Sequence, residues 1–302
     1  MAFGLFASLL VGTILNSIGN TFDIPFLTER IWSLVGQATG AAIAVSIAYA
    51  LKAPNLVLFA STIVGLGSYE LGGPVGVYIA TIFATEFGKL VSKRTKLDII
   101  ITPTITILVG ILVGDFIGPG VAAFMTGLGN IIMKATELQP FLMGIVVAVL
   151  VGVSLTLPIS SAAICMMLSL SGIAGGAATV GCSAQMIGFA VISYKDNGFE
   201  GLLVQGLGTS MFQVPNIIKN PWIWLPATLA GAILGPVSTL VFKMENSPLG
   251  SGMGTSGLVG QISTINTMAA SRSFSILLFQ ILLLHFILCL LYTSDAADDM
   301  QC

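Results

Sequence analysis

The sequence predicts an all-α polytopic membrane protein, with roughly 8–10 transmembrane helices plus short half-helices or re-entrant hairpins. Three observations carry that expectation. Only 8% of the 302 residues are charged and 55% are hydrophobic, whereas a soluble domain carries roughly 25% charged residues. So few charges cannot cover a water-facing surface. Uncharged apolar stretches of about 20 residues recur along the chain, each long enough to cross a bilayer as a helix. The runs are continuous rather than alternating, which argues against a β-barrel.

Taken in order, the spans fall near 1–19, 31–51, 54–68, 73–91, 98–117, 140–158, 160–172, 175–194, 201–218, 222–242 and 273–292. The first is apolar but lacks a basic n-region, so it reads as a true first helix, complete or shortened, and not as a cleavable signal. Thin charge marks many of the gaps: Glu29 and Arg30, Lys52, Lys134 and Glu137, Lys195 and Asp196, Lys219, Lys243 and Glu245. The stretches 54–68, 160–172 and 255–269 are too short for a full crossing and read as half-helices. Non-helical backbone at that depth is tolerated only inside protein or along a cavity. "KLVSKRTK" holds Lys89, Lys93, Arg94 and Lys96, which places the basic loop 89–96 on the cytoplasmic side.

The whole of 1–292 reads as one transmembrane transporter domain with two weakly related halves, about 31–137 and 140–250. Residues 46–76 resemble 154–181, with Pro54 opposite Pro158 and Gly72-Gly73 opposite Gly175-Gly176. Gly118-Pro119 and Gly235-Pro236 follow in turn. The likeness is either a duplication of the kind transporters use or chance among glycine-rich helices. The end, "CLLYTSDAADDMQC", abandons the pattern. Residues 293–302 read as a non-native or truncated tail, with a short acidic native terminus as the alternative.

Gly252-Met-Gly-Thr-Ser-Gly257 satisfies G-x-G-x-x-G, but a dinucleotide site needs a strand before it, a helix after it and an acid about 20 residues on. An apolar helix precedes it, and no Asp or Glu follows before the tail. The glycines therefore make either a flexible extramembrane loop or a backbone opening before a half-helix. In the second case Thr255 and Ser256 suit the N-cap, and the helix start would face an anionic or polyhydroxyl ligand.

Polar side chains inside spans are costly and often functional. Glu70, in "GLGSYELGGPVG", is either a buried acceptor or proton carrier, or an interfacial loop carboxylate. Glu86 reads as a local partner of Lys89 at i+3, Asp115 as interfacial, and His285, the sole histidine, as a core residue bonded to a neighbouring helix. Gln185, Gln205, Thr209, Ser210, Gln213 and Asn216 stand in apolar surroundings. Neutral amides and hydroxyls of this kind either bind sugar hydroxyls or glue helices together. Pro215-Asn216 interrupts a span, which singles out Asn216. The candidate substrate-binding residues are thus Asn216, Gln213, Gln185, Glu70, Thr255 and Ser256.

No catalytic, metal or cofactor set emerges. Cys165, Cys182, Cys289 and Cys302 have neither disulfide nor metal spacing, and Cys165 and Cys182 read as core residues. No basic patch suits nucleic acid.

Residues 175–262, and most specifically "QGLGTSMFQVPNIIKNPWIW" and "PLGSGMGTSGLVGQI", resemble the stand-alone membrane component, EIIC, of phosphoenolpyruvate-dependent sugar phosphotransferase systems. The likeness extends over most of the chain. It implies a multi-pass sugar permease of the bacterial plasma (inner) membrane. Such a component binds a sugar or sugar-like solute within the bilayer and presents it for phosphorylation by a separate B component. It takes part in a protein-phosphohistidine–sugar phosphotransferase activity without carrying the phosphoryl group itself. Its oligomeric state is open, a homodimer being one option. Two other readings stay open: a proton-coupled secondary transporter working through Glu70, and a non-transporting membrane regulator.

Overall fold

The computed structural model describes residues 1–94, 97–157 and 159–293. Lys96 of the basic loop, Pro158 of the second half, and the tail from Ser294 to Cys302 lie outside them. The described residues are helical with no strand, only an isolated bridge between Gly172 and Asn246. Among the described residues seven helices are long and apolar enough to cross a membrane, and Pro140–Thr156 is a shorter apolar one. The chain divides into two compact units, Met1–Gly127 and Leu128–Cys302.

The first unit holds α1 (2–22), α2 (Phe26–Ala50), α3 (Asn55–Val91) and the first part of α4 (Asp98–Thr136). The expected spans 54–68 and 73–91 are the two arms of α3, which breaks at Gly73 (φ 54°, ψ −152°). That conformation is costly for a side chain with a Cβ and open to glycine. The arms fold back on each other. Val64 packs with Ala80 and Ala84, and a Cβ on Gly88 would meet Val57. Each arm is about 27 Å long by helical rise, so the first is not the half-length piece expected.

The first part of α4 lies in the groove of this hairpin, with Gly110 against Val64 and Gly114 against Ser68. α4 does not end near residue 117 but continues through Pro119 to Thr136. Asp115 is therefore an exposed residue inside a helix, not at a helix end. α2 closes on the hairpin where Gly40 and Gly65 bring the two backbones together, each lacking room for a Cβ.

The second unit is built on α5 (Pro140–Thr156), α7 (Gly172–Ile192) and α10 (Pro221–Phe242). Glycines again allow the contacts. Gly152 packs on Gly181, Gly144 on Gly235, and Gly231 on Gly181. Without a hydrophobic drive between helices in lipid, such close backbone approach supplies the packing attraction. α7 is the central rod, with 15 of its 21 residues buried. Around it lie α6 (Ser161–Met167), α8 (Tyr194–Leu203), α9 (Val214–Lys219), α11 (Val259–Met268) and α12 (Phe274–Thr293). One apolar cluster joins Val180 and Ala184 to Leu234, Met268, Leu277 and Leu284.

The expected span 201–218 is not one helix. A π-helical turn at Val204–Gly208 gives way to extended Thr209 (φ −160°, ψ 140°), a 3₁₀ turn at Ser210–Gln213, and then α9. The break is thus at Thr209, not at Pro215-Asn216. Pro215 sits in the first turn of α9, where its missing N–H costs nothing.

Candidate functional site

Gln185, two-thirds of the way along α7, is 1% exposed. Its Oε1 accepts from Thr156 Oγ1 of α5 (3.2 Å) and from the Trp224 indole N–H (3.0 Å), and its Nε2 donates to Thr228 Oγ1 (3.0 Å). Thr156 Oγ1 also lies 2.9 Å from Ser210 Oγ. One amide thereby ties α5, α7, α10 and the 3₁₀ turn together. A buried amide needs such partners, because each unpaired polar group costs about 1–3 kcal/mol.

An open pocket of about 360 Å³ lies directly over this hub, lined by Val153, Pro221, Trp222, Trp224, Leu225 and Thr228. Thr228 Oγ1 accepts from Gln185 and donates to the Trp224 carbonyl (2.8 Å). A hydroxyl oxygen has two lone pairs, so one remains. The walls combine tryptophan with a single hydroxyl, and no charged side chain lines them.

A second chain of amides runs along the broken segment. Asn216 Nδ2 donates to Gln213 Oε1 (2.9 Å), Gln213 Nε2 to Gln205 Oε1 (2.9 Å), and Gln205 Nε2 to Ser193 Oγ (2.7 Å). Asn216 is exposed at its outer end, while Gln213 and Gln205 are buried.

The glycine loop is not exposed: residues 250–256 are all buried. Gly254 (φ 53°) lies against the backbone of Cys182 and Ser183, with no room for a side chain. Ser161 Oγ donates to the Gly252 carbonyl (2.7 Å). Asn246, fully buried, donates to Thr179 Oγ1 (2.7 Å) and to the Gly260 carbonyl (3.0 Å).

A short helix does follow the loop, but Thr255 and Ser256 do not cap it. Leu258 holds the N-cap position of α11 without a side-chain bond. Thr255 Oγ1 instead donates to the Gly206 carbonyl (2.6 Å) and Ser256 Oγ to the Gly208 carbonyl (2.9 Å). These are carbonyls that the break at Thr209 strips of helical partners. Satisfying them inside protein outweighs a cap.

Of the six sequence-derived candidates, Gln185 is one hydrogen bond from the pocket. Gln213 and Asn216 share the amide chain, and Thr255 and Ser256 latch the glycine loop to the broken segment. Glu70 belongs to the first unit, exposed in the first arm of α3, three residues before its break. The expected local pair is present, with Lys89 Nζ 2.7 Å from Glu86 Oε1. Cys165, Cys182 and Cys289 are free and buried. Sequence reasoning missed Thr156, Trp224, Thr228 and Asn246. The only advance signal was the i, i+4 spacing of Trp224 and Thr228 at the start of an apolar run.

The family model for the phosphotransferase system EIIC component matches residues 1–296, and the chain belongs to that family. It is a multi-pass membrane protein and the sugar-permease component of such a system, which implies a sugar substrate and a partner component of the same system. No curated protein and no solved structure matches the chain.

Proposed function

We propose that this permease holds its sugar on the second unit, in the pocket over Gln185. The observation that carries the proposal is the pairing of two tryptophans with a hydroxyl whose remaining lone pair is free, with Trp224 and the hydroxyl of Thr228 both held by one buried amide. Ligand sites of this type are mainly apolar and aromatic, with few polar groups that fix orientation, and start at about 300 Å³. The pocket therefore suits a monosaccharide-sized solute lying its C–H face on Trp222 or Trp224 while one hydroxyl donates to Thr228. The chain Asn216–Gln213–Gln205 offers further amide groups along the broken segment. The latch of Thr255 and Ser256 holds that segment to the glycine loop, so that the two move together when access alternates between the membrane's sides.

Tryptophan fluorescence tests this directly, because Trp222 and Trp224 are two of only three tryptophans. A Trp32→Phe protein keeps both reporters. Titration with aldohexoses, ketohexoses and hexitols should change its emission for the transported sugar. Thr228→Val and Gln185→Leu should each weaken that sugar's binding about tenfold or more, the loss expected for one hydrogen bond or its support. Unchanged affinity in both variants would place the sugar elsewhere. Glu70→Gln tests the proton-coupled alternative: uptake that keeps its dependence on a proton gradient, or never had one, removes Glu70 from the mechanism.

The basic loop is proposed to face the cytoplasm, on the strength of Lys89, Lys93 and Arg94. A Ser92→Cys, Cys302→Ser protein should react with a membrane-impermeant thiol reagent only in inverted vesicles. Reaction in intact cells would reverse the topology.

A further inference from the structure

His285 and Gln261 stand apart from the network above. Both lie in the second unit, on α12 and α11, and they are 0% and 5% exposed. Gln261 Nε2 is 3.2 Å from His285 Nδ1. Gln261 Oε1 and His285 Nε2 are buried and have no protein partner among the described residues.

The bonding leaves a defined remainder. If the amide N–H donates to an unprotonated Nδ1, then Nε2–H is left as a donor and Oε1 as an acceptor. If the amide is reversed, Oε1 accepts from Nδ1–H, which leaves an N–H donor on the amide and a lone pair on Nε2. Either way at least one donor and one acceptor remain on the same buried pair. Leaving both unmet would cost about 1–3 kcal/mol each, and no described protein atom meets them. His285 lies in a π-helical turn over Leu282–Ile287, one of five such turns among the described residues.

We propose that Gln261 and His285 form a buried polar site for hydroxyl groups, one at the imidazole nitrogen remote from Gln261 and a separate one at the free amide atom. Water and a hydroxyl of the transported solute share that chemistry. The pair itself joins α11, the short helix that follows the glycine loop, to α12, so occupancy at the remote nitrogen reports on the contact between the loop's helix and the last span.

The sole histidine makes the test simple, since selective ¹⁵N-histidine labelling of the full chain, purified on a histidine-free tag, yields one imidazole. The ring nitrogen remote from Gln261 should show a hydrogen-bonded chemical shift. Magnetisation transfer from water to it that persists with saturating glucose, fructose or mannitol in separate samples identifies water as the occupant. A shift change or loss of transfer on adding one of these identifies a solute hydroxyl. A remote nitrogen with the shift of a free imidazole and no transfer from water, with and without each sugar, overturns the proposal. This test is independent of the Trp224 pocket, because it reads a different side chain.

Discussion

The two units close their helices in the same way and bury their polar side chains in opposite ways. In each, pairs of glycines let backbones touch: Gly40 with Gly65 in the first, Gly152 with Gly181 in the second. The side-chain hydrogen bonds described in the first unit stay local, none joining residues more than five apart. Its buried threonines mostly return to their own helix, as Thr39 does to Val35 and Thr106 to Thr102. In the second unit amides and hydroxyls reach across: Gln185 to Thr156 and Thr228, Asn246 to Thr179 and Gly260, Thr255 to Gly206. Local bonds satisfy a helix without fixing its neighbour, whereas cross-helix bonds specify one arrangement. The first unit is thus packed by shape, and the second by shape and a polar code. Recognition of a hydroxylated solute belongs with the second.

What the units share should give the largest effects. Gly181→Leu drives a side chain into the backbone of Ala148, and Gly65→Leu drives one into that of Gly40. Each should cost about 3 kcal/mol or more by overpacking, seen as loss of monodisperse protein after detergent extraction. Damage in only one unit would show that glycine contact is not the common device. The next effect should separate the units. Gln185→Leu leaves the Trp224 N–H, Thr156 and Thr228 short of partners, for about 2–4 kcal/mol, read as a lowered thermal midpoint together with lost sugar binding. The double variant Thr255→Val, Ser256→Ala unlatches two carbonyls, Gly206 and Gly208, for about 1–3 kcal/mol. It should raise hydrogen exchange in 204–210 and 250–258 together, since the latch joins those segments. Exchange rising in one alone would mean that they do not move as one.

The sequence discloses the shared device better than the difference. Charge content alone identifies the membrane class, and Gly72-Gly73 marks the hairpin turn of α3. Pro119 misleads, because a proline suggests an end, while within a long apolar helix its freed carbonyl can be met by local adjustment. Pro215 misleads in the other direction: it reads as a break but is accepted in the first turn of α9, and the break falls at Thr209, whose type carries no such signal. Gln185 is legible as an amide in an apolar run. Its partners are not, since Thr156, Trp224 and Thr228 lie 29 to 43 residues away and only the fold brings them in. Thr255 and Ser256 have the chemistry of caps, and only the stripped carbonyls of a distant segment explain why they serve as a latch.

The smallest effect is the sharpest test of the contrast. Thr39 is fully buried between the helices of the first unit, and its Oγ1 donates to the Val35 carbonyl at 2.7 Å. That carbonyl also accepts the backbone N–H one turn on, so removing the hydroxyl strips no group of its only partner. Valine fills nearly the same volume and adds apolar contact with its neighbours. Thr39→Val should therefore change the thermal stability by less than about 1 kcal/mol in either direction and leave sugar binding untouched. Gln185→Leu, by contrast, removes one residue of similar burial, strands the Trp224 N–H and leaves Thr156 and Thr228 each one bond short. The ratio of the two effects measures how far buried polarity in this protein is local or shared. If Thr39→Val costs as much as Gln185→Leu, the first unit also depends on cross-helix polar order, and the assignment of recognition to the second unit loses its physical basis.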